Sequence, residues 1–129
     1  MRLIAFLTLA AMAQCQPDET LTGHGAAGRT WILQERGDDP VDLRTELRFS
    51  RRGVLEGRGP CNPFRARVSV PYPWFALEEF ESGQQACPDR DAEEEVIVAL
   101  KSVTLVEIAG DTMLLTNDDA TLLLRFKAE

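Results

Sequence analysis

Gly57-Arg58-Gly59-Pro60-Cys61-Asn62-Pro63-Phe64 is the stretch on which the reading of this chain turns. Two glycines and two prolines around a Cys-Asn pair describe a tight turn, because glycine admits unusual backbone angles and proline fixes φ while removing a donor. Asn62 suits such a turn: asparagine tolerates the left-handed region and can bond its side chain to nearby backbone. The sharper alternative for Asn62 is that it lines a small binding cleft together with neighbouring backbone groups.

Working outward, apolar residues alternate on both sides of this turn. Leu47 and Phe49 alternate with Glu46, Arg48 and Ser50; Arg52-Gly53 then makes a turn, and Val54 to Gly57 returns as the second arm of a hairpin. Phe64 to Val70 alternates through Ala66, Val68 and Val70, and Trp74 to Phe80 less cleanly through Trp74 and Ala76, with Pro71 and Pro73 turning the chain between them. Upstream, Arg29 to Gln34 is a β-favouring segment that ends at the loop signal Gly37-Asp38-Asp39-Pro40. Downstream the period changes. Ala92, Val96, Ala99, Leu100 and Val103 fall on one helical face, Asp89 or Asp91 can cap the helix, and Glu93, Glu94 and Glu95 suit the positive end of its dipole. Thr104 to Ile108, Thr112 to Thr116 and Thr121 to Phe126 then read as a three-stranded meander. The fold class expected is mainly β (α+β), an antiparallel sheet curled into a small, partly open barrel with one helix packed at one end.

Cys61 gains meaning from Cys87, in a chain of 129 residues with 3 cysteines. In a small exported domain, two cysteines bounding a segment of this length read as a structural disulfide. On chain entropy alone, closing that loop contributes about 3.5 kcal/mol. A redox pair is disfavoured, because redox cysteines usually lie close together at a helix N-terminus.

Export is argued from the first residues. Arg2 supplies a positive n-region and Leu3 to Ala11 an apolar h-region of signal-peptide length, too short to span a bilayer. Residues 1–14 are therefore expected to be a signal peptide. Ala11-Met12-Ala13 is a small-x-small cleavage site, whereas Met12-Ala13-Gln14-Cys15 is an imperfect lipobox in which Gln14 replaces the usual small residue. Cys15 is accordingly a candidate for lipidation, the alternative being a free or intermolecular thiol. The expected location is the periplasm, or the outer membrane as a lipoprotein. Gln16 to Gly28 is rich in Gly, Thr, Asp and Ala, so residues 15–28 are expected to be a flexible tether and residues 29–129 the folded domain.

Charge narrows the classes of function. The formal net charge is −7, which opposes nucleic-acid binding and attraction to an anionic bilayer; any membrane attachment is expected only through a lipid on Cys15. Arginines dominate Arg29 to Arg67, and acids dominate Glu78 to Glu95. That segregation predicts either a dipolar domain with an acidic docking face or, more simply, solvated strand and helix faces.

The ordered set Trp31, Leu47-Arg48-Phe49, Gly59-Pro60-Cys61-Asn62-Pro63-Phe64, Ala86-Cys87-Pro88, Glu94 to Leu100, Met113-Leu114-Leu115 and Leu122 to Phe126 resembles the META domain of HslJ-like bacterial envelope proteins. The resemblance covers Thr30 to Lys127. It implies a small β-rich envelope domain, associated in some members with stress or antibiotic tolerance and without an established enzymatic activity. The chain departs from the family pattern before Ala86-Cys87, where Ser82-Gly83-Gln84-Gln85 replaces a hydrophobic residue and a threonine.

Catalysis is not expected. A nucleophile needs a positioned base, and the 1 histidine, His24, lies between glycines in the expected tether. The acid pairs Glu78 with Glu81, Asp89 with Asp91, and Asp118 with Asp119 lie at turns, strand ends or the helix start, where acids are ordinary surface residues. No metal and no cofactor are expected. Tyr72-Pro73-Trp74-Phe75 puts three aromatics on one bend; alternation predicts Trp74 buried, with Tyr72 or Phe75 available as an exposed contact. The reading is a non-enzymatic envelope protein that contacts a partner protein through a sheet edge or this bend. Its alternatives are a carrier of a small apolar ligand within the curled sheet, and an inhibitor of an envelope hydrolase that inserts the Gly57 to Phe64 loop.

Overall fold

Alternation along the chain becomes a single curled antiparallel sheet in the computed structural model, which describes residues 17–129. The expected leader over 1–14 and the candidate lipidation site Cys15 lie outside the described residues. The strands are β1 (Thr30–Arg36), β2 (Asp39–Pro40), β3 (Glu46–Arg51), β4 (Val54–Arg58), β5 (Pro63–Arg67), β6 (Glu78–Ser82), β7 (Leu105–Ala109), β8 (Thr112–Thr116) and β9 (Leu122–Ala128). Their order is β6-β5-β4-β3-β1-β9-β8-β7, with the short β2 pairing on β1. The sheet is a half-barrel of eight strands plus that short addition.

Inward-facing residues fill the concave side. Trp31, Leu47, Phe49, Leu55, Met113, Leu115, Leu124 and Phe126 are all fully buried. Each comes from the alternation of its own strand: Leu47 and Phe49 point inward from β3, for example, while Arg48 points out. Burial of these side chains is the main source of stability for a chain of this size.

The helix α1 (Arg90–Ser102) buries Val96 and Leu100, followed by Val103 just beyond its end, on the face expected from the sequence. It starts beside the Gly59–Asn62 turn, passes the end of β1, where Arg36 pairs with Glu95 at 2.8 Å, and delivers the chain to β7. These are strand ends on one side of the half-barrel, so α1 closes that end. Asp89 is its N-cap but makes no side-chain capping bond.

Three expectations change. The tether expected over 15–28 is, in its described part, folded structure. Leu21–His24 forms a 3-10 turn, Leu21 and Ala26 are fully buried, and the Trp31 indole donates to the Ala26 carbonyl at 3.0 Å. Composition misled here, because a single leucine and an alanine suffice to plug an open barrel even in a Gly- and Thr-rich segment. Second, the strand expected over Trp74 to Phe80 forms only from Glu78; the residues before it are irregular. Pro71 and Pro73 offer no N–H to a ladder, and the Tyr72–Pro73 peptide is cis.

The third concerns charge. Arginine-rich and acid-rich segments that are separate in sequence become neighbours across strands. Register places Arg48 opposite Glu56, Glu56 opposite Arg65, and Arg65 opposite Glu81 on the outer face, with Arg67 opposite Glu78. The sheet's share of the acid-rich segment, Glu78 and Glu81, is thus interleaved with arginines rather than gathered into an acidic docking face, in keeping with the simpler reading of solvated faces.

Candidate functional site

Two groups of predicted residues are brought together, in different parts of the fold. Cys61 and Cys87 form a disulfide with a Cα–Cα separation of 5.9 Å. It joins the turn after β4 to the segment that starts α1. Beside it, Asn62 is 3% exposed, and its neighbour is a carboxylate that sequence reasoning assigned only to the helix dipole: Glu93, 5% exposed.

The geometry explains both. Glu93 Oε2 accepts the backbone N–H of Cys61 at 2.7 Å and of Asn62 at 2.8 Å, while Oε1 accepts from Asn62 Nδ2 at 3.0 Å. Asn62 Nδ2 also donates to the Gln85 carbonyl at 3.0 Å, and Asn62 Oδ1 accepts from the Gln85 N–H at 2.9 Å. The side chain of Asn62 therefore makes backbone-like bonds to a segment 23 positions away. Its backbone is not left-handed, contrary to the turn argument; among the described residues the non-glycine positions with positive φ are Glu79 and Ala120.

Two glycines make room for the cluster. A Cβ on Gly59 would meet the Glu93 carboxylate, and one on Gly83 would meet Asn62 Oδ1 at 2.7 Å. Burial alone would push the Glu93 carboxyl up. The Asn62 amide, the two backbone N–H groups and the charge of Arg90 outweigh it and hold the group below the usual carboxylate range. Its oxygens are engaged by the protein itself, so the cluster is an internal clasp rather than a cleft lined by Asn62. Its sequence signal is positional: Glu93 precedes Val96 by three and Leu100 by seven, on the face of α1 that is buried.

The second group is the bend before β6. Trp74 is 57% exposed and Phe75 only 3%, the reverse of the expectation. Alternation fails because this is no regular strand: Trp74 N donates back to the Pro71 carbonyl at 2.9 Å, closing a turn that swings the indole outward. Phe75 is held inward by its N–H bond to Thr104 at 2.8 Å, and Val106 N donates to Pro73 at 2.8 Å. This bend therefore covers the outer edge of β7. Tyr72 is half-buried; its hydroxyl accepts from the Ile108 N–H at 3.1 Å, and its ring stacks on His24 at 4.6 Å and 12°.

The alternatives for binding can be weighed on this geometry. The concave side of the sheet is packed with side chains, and the clefts, of about 240 to 590 Å³, open on the surface beside charged groups such as Arg51, Arg67, Glu79 and Glu94. That arrangement weighs against an apolar ligand held inside the sheet. The Gly57 to Phe64 loop does not protrude: Gly59, Asn62 and Phe64 are buried. An inhibitor inserting that loop into a partner's cleft is disfavoured for the same reason. At the other sheet edge, β6 faces α1, with Lys101 lying 4.5 Å over the Phe80 ring.

Comparison with known proteins bears on the fold and the family. A crystal structure of a DUF4847 family protein from Bacteroides vulgatus is 13% identical, with a TM-score of 0.65 over 81% of this chain and 94% of that one. An NMR structure of a protein from Burkholderia xenovorans is 17% identical, with a TM-score of 0.63 over 96% of this chain and 99% of that one. At such identities these likenesses show the fold alone. No curated protein matches the sequence. A family model described as the META domain matches residues 19–129, taking in the 3-10 turn, all nine strands and the helix, and the chain belongs to the META domain family.

Proposed function

We propose that this META domain is a non-enzymatic component of the bacterial cell envelope, held there after export and acting by surface contact with another envelope component, in a role tied to envelope stress or antibiotic tolerance. One observation carries the contact reading: the exposed indole of Trp74 stands on a bend whose other aromatics are packed. An exposed large aromatic on an otherwise well-buried core is the kind of feature that contact surfaces use. Export is supported by the leader-like residues Met1 to Ala13 and by the Cys61–Cys87 disulfide, since such bonds persist in oxidising compartments. The non-enzymatic reading is supported by the engagement of Glu93 in internal bonds and by the stacking of His24 on Tyr72. Neither group is arranged as a base against a nucleophile.

The test is genetic. Cells lacking the chain are challenged with detergent and with antibiotics, and complemented with the native full-length chain or with Trp74→Ser. Sensitivity that the native chain corrects and Trp74→Ser does not, at equal folded protein in the envelope fraction, is the expected result. Full correction by Trp74→Ser, or absence of the protein from the envelope fraction, would overturn the reading.

A further inference from the structure

The contact surface at Trp74 is physically tied to the place where the chain would be anchored. Tyr72 N donates to the Glu19 carbonyl at 2.8 Å, and His24 stacks on the Tyr72 ring. Arg52 donates to the Pro17 carbonyl at 3.3 Å and pairs with Asp18 at 3.6 Å. The segment that carries Pro17 is thus fixed to the body of the domain. Two residue steps separate Pro17 from Cys15, a reach of at most about 7 Å. An acyl group on Cys15 would therefore bring a bilayer up against this segment and the bend bonded to it.

We propose that Trp74, with the His24–Tyr72 pair beside it, is a membrane-facing patch that rests in the headgroup layer of zwitterionic phospholipid. The inference rests on the surface-contact reading above and names its occupant. Indole suits that layer, because it combines an apolar ring with an N–H donor and favours the boundary between hydrocarbon and water. The exposed Pro71 and Pro73 precede it without adding charge. Arg52 is paired with Asp18, and the whole chain carries −7. Attraction to anionic lipid is therefore not the driving term, and contact should depend little on salt. A protein partner is the weaker occupant on area: one partly exposed indole after two prolines offers far less than the roughly 800 Å² per side of a stable protein interface.

The chain has two tryptophans, and Trp31 is fully buried, so fluorescence separates the patch from the core. Protein extracted from the envelope of cells expressing the full chain is weighed intact to read the state of Cys15. It is then reconstituted into phosphatidylcholine–phosphatidylethanolamine vesicles carrying brominated acyl chains. If Cys15 carries no acyl group, its thiol is coupled to a maleimide-headgroup lipid in the same vesicles, which anchors the chain at the same atom. The expected result is a blue-shifted emission quenched by the brominated chains, unchanged between low and high salt. Trp74→Phe should lose that quenching while keeping the Trp31 emission that reports an intact core.

Vesicle-bound protein with unquenched Trp74, or quenching that survives in Trp74→Phe, would overturn the inference. So would a photocrosslinker at position 74 in the native envelope that captures protein and no lipid, although the surface-contact reading would then stand. If complementation by Trp74→Ser is complete and position 74 crosslinks to neither, both fall.

Discussion

Glu93 and Asn62 are bound to each other twice: one carboxylate oxygen takes the Asn62 backbone N–H at 2.8 Å and the other its side-chain amide at 3.0 Å. The pair joins the turn after β4 to the first turn of α1, and Asn62 extends the connection to Gln85. The disulfide between Cys61 and Cys87 spans the same two segments. A covalent and a polar tie thus hold together the part of the fold where the helix starts.

Removing the carboxylate should be costly, because it leaves the N–H groups of Cys61 and Asn62 buried without an acceptor. Hydrogen bonds to a charged group contribute about 1.5–3 kcal/mol each, and an orphaned buried donor costs about 1–3 kcal/mol. Glu93→Ala is expected to lose about 3 kcal/mol, which is about 12 °C in Tm for a domain of this size. Glu93→Gln retains one acceptor and should lose less. Denaturant titration of the three proteins checks this; a loss below about 1 kcal/mol for Glu93→Ala would mean that water replaces the clasp.

The same carboxylate gives stability a pH dependence of defined sign. Its folded-state pKa lies below that of an unfolded glutamate, so the folded state favours the ionised form. Its contribution is fully present above the unfolded value, about 4.3, and is lost as pH falls through the lower folded value. Glu93→Gln cannot titrate and should show a shallower loss of stability over that acidic range. Unfolding free energies of native and Glu93→Gln protein, measured from neutral pH downward, should converge; parallel curves would contradict the assignment.

Reduction of the disulfide should weaken the domain without unfolding it. The loop-entropy model gives about 3.5 kcal/mol for Cys61–Cys87, and the Glu93–Asn62 clasp remains to hold the turn to the helix. The Cys61→Ser, Cys87→Ser double variant is therefore expected to keep its near-ultraviolet circular dichroism at 25 °C and to unfold at lower denaturant. Adding Asn62→Ala and Glu93→Ala together to that variant should abolish the native signal, since the bonds from the turn to Glu93 and to Gln85 are then lost with the disulfide. A reduced protein that is already unfolded would show the polar clasp to be too weak for this role.

The architecture was legible wherever period and burial agree. Leu47 and Phe49, Leu55, Phe64, Ala66 and Val68 all face inward as their alternation predicts, and Val96, Leu100 and Val103 do so at helical spacing. It failed where one local constraint outranked the period. At Trp74 and Phe75 the turn closed onto Pro71 reverses the two faces. Glu93 stayed hidden for a different reason: an acid in the first turn of a helix is ordinarily solvated, and only the distant Asn62, with two backbone N–H groups, makes its burial favourable. The segregation of charge in sequence does not carry into the sheet, because strand register, which sequence blocks do not reveal, interleaves Arg65 between Glu56 and Glu81.

Leu21 offers a direct test of how much the N-terminal segment adds to the fold. It lies in a stretch whose composition reads as a linker, yet its side chain is 1% exposed and belongs to the same core as Trp31 and Phe49. Truncation to alanine would leave a cavity that neighbouring strands cannot fill without moving, and Leu→Ala at such sites costs about 2–5 kcal/mol. Deleting residues 17–28 should cost more, because it also removes the Ala26 carbonyl that accepts the buried Trp31 indole N–H. Both variants can be read by urea denaturation, with Thr22→Ser, which keeps the hydroxyl that donates to the Arg51 carbonyl, as a control in the same turn. A Leu21→Ala loss no larger than that of Thr22→Ser would return the segment to the status of a linker. A loss near 3 kcal/mol makes it the plug of the half-barrel end that carries the bend.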